Sequence, residues 1–157
     1  MYKKILVPLD GSQLAECVLP HMETIAQGCG MPTVVLLRVV EPFYMSAARG
    51  GGEYIPSAEV MEKMQSESNK DAENYLAGAV RRLKYDGVKK TETIVSGPVA
   101  ETIADYAAKN QFDLIVIATH GRSGVSRWVW GSVADKLLRS TCVPVLMVRA
   151  PGCIPGI

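Results

Sequence analysis

The sequence lacks an excess of charge of either sign. It has 17 basic and 16 acidic residues among 157, and neither kind forms a block. Proteins that attract nucleic acid or a membrane surface electrostatically carry a basic patch or segment, and this composition provides none. An anion bound by this protein therefore has to be held by a few residues at one place.

Long apolar stretches are also missing. No stretch of the chain approaches the ~18 residues that a membrane-spanning helix needs. The N-terminal "MYKKILVPLDGS" has only a short apolar run before Pro8, unlike a secretory signal peptide. These two absences predict a soluble, cytoplasmic protein.

Cysteine motifs are absent as well. The cysteines form no Cys-x-x-Cys pair and no zinc-ribbon spacing, which favours free, buried thiols. Cys17 and His21 are four residues apart and would share a helix face, but two ligands do not make a metal site. The four cysteines are Cys17, Cys29, Cys142 and Cys153.

The chain does contain a regular alternation of apolar runs and amphipathic helical patterns. The runs "YKKILVPL", "TVVLLRVV", "KKTETIVSG", "DLIVIA" and "CVPVLMVR" predict five strands with a helix between each pair. Runs that are apolar on both faces indicate a sheet covered on both sides, as parallel sheets are. This order predicts an α/β fold with a single doubly wound, Rossmann-like parallel sheet and helices on both faces.

The chain length suits one domain, because domains usually have ~100–200 residues. We assign this α/β domain to residues 1–150. The C-terminal residues 151–157, "PGCIPGI", are rich in Pro and Gly and predict a loosely held tail.

Capping residues predict the boundaries of the first helix. Asp10 and Ser12 are both good caps for its start, and Gly28 is a typical end. Pro20 falls inside the pattern and predicts a kink.

The remaining connections carry similar signals. Ser57 predicts the start of a long second helix and Gly87 its end, while Pro98 suits the first turn of the third helix. Residues 41–57 contain two prolines and three consecutive glycines without a sustained period, which predicts a long loop or lid.

Two loops at one edge of the predicted sheet hold the residues suited to chemistry. "PLDGS" follows the first strand and "ATHGRSG" follows the fourth. Ligands of doubly wound sheets bind beyond the carboxyl ends of the strands, where the strand order reverses. The two loops can form one site only if the first and fourth strands are neighbours.

The second of these loops has the composition of an anion site. Gly121 and Gly124 allow close backbone approach, and Arg122 and Arg127 supply cations. Ser132 begins a helix whose free N–H groups and dipole favour an anion. The combination predicts a phosphate cradle, although for each residue alone an ordinary turn is the simpler interpretation.

Other interpretations of the same residues stay open. Ser132 and Asp135 have the spacing of a capping box. No Gly-x-x-x-x-Gly-Lys-Ser/Thr loop is present, no Gly-x-Gly-x-x-Gly follows the first strand, and the glycine after Ser123 comes one residue too early for a hydrolase elbow. His120 has no identifiable nucleophile to activate. Asp10 suits ribose recognition and helix capping equally well.

Three segments of the chain resemble the universal stress protein family. They are "KKILVPLDGS", "VSGPVAETI" and "DLIVIATHGRSGVSRWVWGSVADKLLRSTCVPVLMVR", which lie in order within residues 2–149. The resemblance implies a five-stranded parallel sheet in the order 3-2-1-4-5, two helices on each face, and a homodimer. The first and fourth strands would then be neighbours.

The ATP-binding members of that family share the pattern Gly-x-x-Gly-x9-Gly-Ser/Thr. Gly121, nine further residues and the pair Gly131-Ser132 match the second half of it, while Ala118 replaces the first glycine. Alanine adds only a methyl group and so tolerates a close ligand better than larger residues, but it takes positive φ less freely than glycine.

The resemblance implies ATP as the ligand, with Mg or Mn arriving on its phosphates and no catalytic residue. Asp10 would lie near the ribose or its metal, and the backbone of Val39 would meet the adenine. The implied nucleotide-binding residues are Pro8, Leu9, Asp10, Val39, Ala118, Gly121, Arg122, Ser123, Gly124, Gly131, Ser132 and Val133.

The last strand independently favours a homodimer. From Val143 to Val148 its apolar side chains alternate between both faces, yet the strand should lie at a sheet edge. An apolar edge is protected by pairing with a second copy.

Three functions follow from these features. The first is a regulatory, ATP-binding homodimer of the stress response. The second is a dimeric interaction protein without nucleotide, in which Ala118 marks a lost pocket. The third, a slow ATP hydrolase using His120 and Asp10, lacks an activated nucleophile.

Overall fold

A computed structural model of the protein describes residues 2–30, 32–42, 57–119 and 132–149. The strands are β1 (Lys4–Pro8), β2 (Thr33–Val40), β3 (Lys89–Val95), β4 (Leu114–Thr119) and β5 (Val145–Arg149). The helices are a 3-10 helix (Ala15–Val18), α1 (Leu19–Gly28), α2 (Ala58–Arg82), α3 (Val99–Lys109) and α4 (Ser132–Ser140).

The five strands form one parallel sheet in the order β3-β2-β1-β4-β5. β1 lies in the centre, paired with β2 on one side and with β4 on the other. The predicted α/β fold and strand order are confirmed, as is the adjacency of the first and fourth strands.

Alternate side chains of the strands enter two separate cores, except in β3, which has no buried residue and contributes only the partly buried Ile94 to one of them. Ile5 and Val7 of β1 belong to a first core, which Met22 of α1 and Leu76 of α2 complete. Leu6 belongs to a second core, to which α3 and α4 contribute Ile103 and Leu137, among others. Two helices thus cover each face of the sheet, and the burial of both faces explains why β1, β2 and β4 are mostly apolar, whereas the edge strand β3 is mostly polar.

The first helical segment differs from the prediction of one kinked helix. Residues Ala15–Val18 form a 3-10 helix, and the α-helix begins only at Leu19, which places Pro20 in its first turn. A proline is tolerated there because the first N–H groups of a helix have no intrahelical partner. Gly28 is the last residue of α1, as expected.

The second helix begins as predicted and ends earlier. The Ser57 hydroxyl accepts a hydrogen bond from the Val60 N–H, which confirms Ser57 as the N-cap. The helix ends at Arg82, because Leu83 already has extended backbone angles, so Gly87 does not terminate it. Pro98 also lies one position earlier than predicted, at the N-cap of α3.

The described cysteines are free, but they are not buried. Cys17 and Cys29 are half-buried and Cys142 is exposed, while Cys153 lies outside the described residues. Within the described ranges, no helix is long and apolar enough to cross a membrane.

Candidate functional site

The carboxyl ends of β1 and β4 meet at one edge of the sheet. The strand order reverses between these two strands, since the chain runs from β1 outwards to β3 before it crosses to β4. Such a reversal leaves a crevice because the two connections leave in opposite directions. The Asp10 turn that follows β1 and the end of β4 therefore lie at the same edge of the sheet, whereas residues 120–131, which follow β4, lie outside the described residues.

Pro8 lies where the pairing between β1 and β4 has already ended. The β1–β2 pairing continues to Pro8↔Leu37, whereas the β1–β4 pairing ends at Leu6↔Ile115. The Leu9 N–H donates to the Leu37 carbonyl of β2 at 2.8 Å. In a parallel strand the backbone N–H and C=O groups of successive residues face alternate neighbouring strands, so those of Pro8 face β4. A proline has no N–H to donate, and the ladder between β1 and β4 stops where Pro8 would have continued it.

Asp10 is held in a tight turn after β1. Its Oδ1 atom accepts hydrogen bonds from the Ser12 N–H at 2.9 Å and from the Ser12 hydroxyl at 2.6 Å. The Ser12 hydroxyl in turn accepts from the Ala15 N–H at 3.1 Å at the start of the 3-10 helix. Asp10 thus holds the turn with one carboxylate oxygen, but it does not cap a helix as predicted, because the 3-10 helix and α1 begin after Leu14 and Val18, and neither of these N-cap residues provides a side-chain cap.

Gly11 gives this turn its shape. Its φ is +84°, a left-handed conformation that side chains with a Cβ rarely adopt. A Cβ at Gly11 would also lie 1.9 Å from the Nη1 atom of Arg38, so a larger residue would strain the turn and displace the guanidinium. Arg38 comes from β2, the neighbouring strand.

Ala118 and Thr119 form the end of β4. Ala118 is half-buried and packs against the first core, so its methyl group has a place within the protein. Thr119 is 5% exposed, and its hydroxyl donates to the Val148 carbonyl of β5 at 3.5 Å.

Helix α4 begins at the same edge of the sheet. Its last residue, Ser140, precedes β5, whose first residue Val145 pairs with Ile115 near the start of β4. The helix therefore runs from the carboxyl edge back to the amino edge, with Ser132 and the half-buried Val133 at its carboxyl-edge end.

The predicted site residues within the described ranges all belong to the carboxyl edge of the sheet. They come from β1 and its turn, the end of β2, the end of β4 and the start of α4, and they are Pro8, Leu9, Asp10, Val39, Ala118, Ser132 and Val133. Five predicted residues, together with His120 and Arg127, lie outside the described residues; these five are Gly121, Arg122, Ser123, Gly124 and Gly131.

A polar cluster beside the Asp10 turn was missed from the sequence. The guanidinium carbon of Arg38 lies 5.6 Å from the centre of the Tyr75 ring of α2. Arg82 forms an ion pair with Glu16 of the 3-10 helix at 2.7 Å. The only signal for this cluster was Arg38 itself, the one charged residue in an otherwise apolar strand.

The cluster forms one wall of an open cleft of about 590 Å³, lined by Gly11, Gln13, Glu16, Tyr75 and Arg82. The Tyr75 hydroxyl is buried beside the Glu16 carboxylate and makes no hydrogen bond of normal geometry within the described part of the chain. Burial raises the pKa of this hydroxyl, and the charges of Glu16 and Asp10 raise it further, whereas the charge of Arg38 lowers it. The two carboxylates and the guanidinium therefore all act on the same hydroxyl.

Among the described residues, no group of three or more His, Cys, Asp or Glu side chains is placed to hold a metal. A nucleotide with its own metal fits three features of the edge: the crevice opened at Pro8, the carboxylate of Asp10, and the N-terminus of α4 at Ser132.

Comparisons with known proteins identify the family. The sequence matches the family model described as the universal stress protein family over residues 1–149. It is 31% identical over 153 residues to universal stress protein MJ0531 of Methanocaldococcus jannaschii, covering 96% of this chain and 84% of that protein. Universal stress protein MJ0577 of the same organism is 28% identical over 156 residues, covering 95% of this chain and 96% of that protein.

Solved structures agree with this assignment. The structure of MJ0577 is similar with a TM-score of 0.80 at 25% identity, covering 98% of this chain and 99% of that chain. A universal stress protein family protein from Arabidopsis thaliana with AMP bound has a TM-score of 0.65 at 14% identity, covering 96% and 93%. A universal stress protein in complex with cAMP has a TM-score of 0.63 at 19% identity, covering 94% and 97%. The last two likenesses concern the fold alone, but the match over residues 1–149 and the identity to MJ0531 show that this chain belongs to the universal stress protein family.

Proposed function

We propose that this chain is an ATP-binding regulatory protein of the cytoplasmic stress response, that it binds ATP with Mg or Mn, and that it acts as a homodimer. The observation that carries the nucleotide part is the crevice between β1 and β4, which Pro8 opens at the point where the strand order reverses. Nucleotides bind outside the carboxyl ends of the strands in folds of this class.

Asp10 supplies a ribose acceptor in this proposal. Its Oδ1 atom is engaged by Ser12, which fixes the direction of the carboxylate. The second oxygen, Oδ2, is the atom that we assign to a ribose hydroxyl or to the metal beside it. Pro8, Leu9 and the backbone of Val39 would surround the base.

The N-terminus of α4 supplies the phosphate site. Four backbone N–H groups at a helix start have no intrahelical partner, and the helix dipole adds a partial positive charge there. Asp135 lies in the first turn of α4, where its charge would oppose a phosphate, but Arg139 pairs with it at 3.2 Å. Ser132 and Val133 would close over the phosphates together with Gly121, Arg122, Ser123, Gly124 and Gly131.

Ala118 is compatible with this site. The family's ATP-binding pattern has glycine at the corresponding position, and a methyl group projecting into the crevice would hinder the ligand. The packing of Ala118 against the first core supports nucleotide binding over the alternative of a dimer with a lost pocket, because the methyl group is used by the core.

The nucleotide-bound relatives support an adenine nucleotide as the ligand class. Proteins of the same fold have been solved with AMP and with cAMP. ATP, rather than one of these, is the part of the proposal that depends on the phosphate site at α4. We assign the chain no catalytic residue, so any hydrolysis of ATP should be slow.

The experiment is a search for bound nucleotide followed by a titration. The purified protein is denatured and its supernatant analysed for adenine nucleotide, and nucleotide-free protein is then titrated with ATP and Mg in a calorimeter. We expect co-purified adenine nucleotide or binding of about one ATP per chain with a Kd in the micromolar range, which corresponds to roughly 8 kcal/mol. Neither bound nucleotide nor heat of binding for ATP, ADP and AMP would leave the nucleotide-free dimer as the function.

A further inference from the structure

The strand next to β1 holds the turn that carries Asp10. Pro8 of β1 pairs with Leu37 of β2, so the next residue of β2, Arg38, lies beside the point where the chain leaves β1 for the Asp10 turn. The side chain of Arg38 lies on the face of the first core, like those of Val34 and Leu36. It is therefore placed directly beside the turn on the side away from α3 and α4.

The guanidinium of Arg38 contacts the turn at Gly11. A Cβ on Gly11 would lie within 3.0 Å of three guanidinium atoms, at 1.9 Å from Nη1, 2.7 Å from Cζ and 3.0 Å from Nη2. The group also lies over the Tyr75 ring of α2, at 5.6 Å from its centre. A planar cation between a backbone turn and an aromatic ring restrains both.

The charges around Arg38 favour this arrangement. Asp10 and Glu16 both act on the Tyr75 hydroxyl, which Arg38 also approaches, so the guanidinium lies in the field of two carboxylates. Arg82 already neutralises Glu16 through the 2.7 Å ion pair. Removing the Arg38 charge would leave Asp10 without the cation that contacts its own turn.

We propose that Arg38 is a positioning residue for nucleotide binding, which holds the Gly11 turn so that Asp10 Oδ2 faces the ribose. The inference rests on the proposed function. It predicts that Arg38 controls the contribution of the ribose hydroxyls to affinity and leaves the contribution of base and phosphates unchanged. A role in general stability would weaken the binding of every adenine nucleotide alike.

The experiment compares ATP with 2′,3′-dideoxy-ATP, which lacks the hydroxyls that Asp10 would recognise. Both nucleotides, with Mg, are titrated into wild type, Arg38→Met, Arg38→Lys and Arg82→Met, after thermal unfolding has shown that each variant is folded. Arg82→Met is the matched control, because it removes from the same cluster a guanidinium that pairs with Glu16, whereas the atoms nearest to a Cβ at Gly11 all belong to Arg38.

We expect wild type and Arg82→Met to prefer ATP over the dideoxy nucleotide. In Arg38→Met the affinity for ATP should fall about tenfold, as for a turn that holds the competent conformation a tenth of the time, while the affinity for dideoxy-ATP stays constant. Arg38→Lys keeps the charge without the planar group and should lose about threefold, which tests the inference even if Arg38→Met does not fold.

Two results would overturn the inference. Equal losses for both nucleotides would make Arg38 a structural residue only, and unchanged affinity for ATP in both Arg38 variants would show that the turn needs no support. If wild type binds neither nucleotide, the proposed function itself fails and the role of Arg38 fails with it. If wild type binds ATP but Arg38 has no selective effect, the proposed function stands.

Discussion

Proline, which lacks a backbone N–H, and glycine, which lacks a Cβ, determine the local structure at three positions of this protein. Pro8 withholds an N–H from the sheet, and Gly11 bends the chain through a left-handed conformation beside Arg38. Gly87 acts in a third way. A Cβ at Gly87 would lie 2.2 Å from the Tyr85 hydroxyl oxygen and 2.6 Å from a ring carbon, so Gly87 is required for close packing.

Replacing Gly87 by alanine should destabilise the protein. Tyr85 is 0% exposed and its hydroxyl donates to the Pro32 carbonyl, so the ring has no room to move aside. We expect Gly87→Ala to lower the free energy of unfolding by about 1–3 kcal/mol, as overpacking of a core does. Urea denaturation followed by circular dichroism measures this change.

Gly28→Ala is the control for this prediction. Nothing lies within 4 Å of a Cβ at Gly28, which ends α1 with helical geometry. Alanine there should be neutral or should stabilise by about 0.4–1 kcal/mol, because it restricts the unfolded chain. Equal effects of the two substitutions would contradict the assigned role of Gly87.

At the scale of secondary structure elements, the opening between β1 and β4 is the feature that makes a site. The two strands share only the pairs Ile5↔Leu114 and Leu6↔Ile115, although both continue beyond them. The reversal of strand order leaves a crevice here, and we expect the early end of the β1–β4 pairing to enlarge it. The width of the crevice should therefore depend on Pro8.

Restoring an N–H at position 8 should close part of the crevice. In Pro8→Ala the new amide can donate to β4, so the ladder should lengthen and ATP affinity should fall. The free energy of unfolding should change by less than about 1 kcal/mol, because the added hydrogen bond offsets the lost restraint on the unfolded chain. Hydrogen exchange of amide 8 and calorimetry with ATP measure the two effects.

Pro32→Ala serves as the matched substitution, since Pro32 precedes β2 at the opposite edge of the sheet. It should leave ATP affinity unchanged. If amide 8 exchanges freely in Pro8→Ala and ATP binds as in wild type, the proline does not shape the crevice.

Four of the strands could be predicted from the sequence because each is a short, mostly apolar run, whereas β3 consists mostly of charged and polar residues. The order of the strands came from the family resemblance, since no local pattern encodes which strands are neighbours. Helix boundaries were less accessible. The 3-10 helix before Leu19 and the end of α2 at Arg82 depend on packing between distant segments, such as the Arg82–Glu16 ion pair, which joins residues 66 positions apart.

The site was predictable to the same degree. Asp10 and Ala118 could be assigned to one edge because Asp10 follows, and Ala118 lies near the end of, an apolar strand of a parallel sheet. The cluster of Arg38, Tyr75, Glu16 and Arg82 could not, since it forms only when β2, the 3-10 helix and α2 meet. The only sequence signal that we identified for this cluster was Arg38, a single arginine in a mostly apolar strand.

At the scale of the whole molecule, the two edges of the sheet differ. β3 carries the alternation "KKTETIV", whose charged and polar residues are mostly exposed. β5 carries "VLMVR", in which Val145, Leu146 and Met147 are half-buried in the single chain. Charged edges resist pairing, whereas apolar edges favour it, so β5 is the edge that we propose for the homodimer.

A charge on β5 should separate the dimer. Val145 packs against the second core from the edge of the sheet. A lysine at this position places a charge on the apolar edge strand of both copies, and the cost of burying that charge in the interface should favour monomers. We expect sedimentation velocity to show dimeric wild type and largely monomeric Val145→Lys at micromolar concentration.

Val95→Lys is the matched control on the opposite edge. Val95 is the last residue of β3 and is 43% exposed. This variant should sediment as a dimer. Monomeric wild type, or dissociation by Val95→Lys and not by Val145→Lys, would contradict a dimer formed through β5.

The central claim is that ATP binds with its phosphates at the start of α4, and a comparison of two serines on that helix tests it most directly. Aspartate at Ser132 preserves a good helix start but places a negative charge against the phosphates. Aspartate at Ser140 adds the same charge at the other end of the same helix, at the amino edge of the sheet.

Calorimetric titration of both variants with ATP and Mg is the measurement. The account predicts that Ser132→Asp weakens ATP binding by about tenfold or more while Ser140→Asp binds within about twofold of wild type, because charge repulsion acts over a short distance at physiological salt. Wild-type affinity in Ser132→Asp would contradict the placement of the nucleotide at this edge of the sheet.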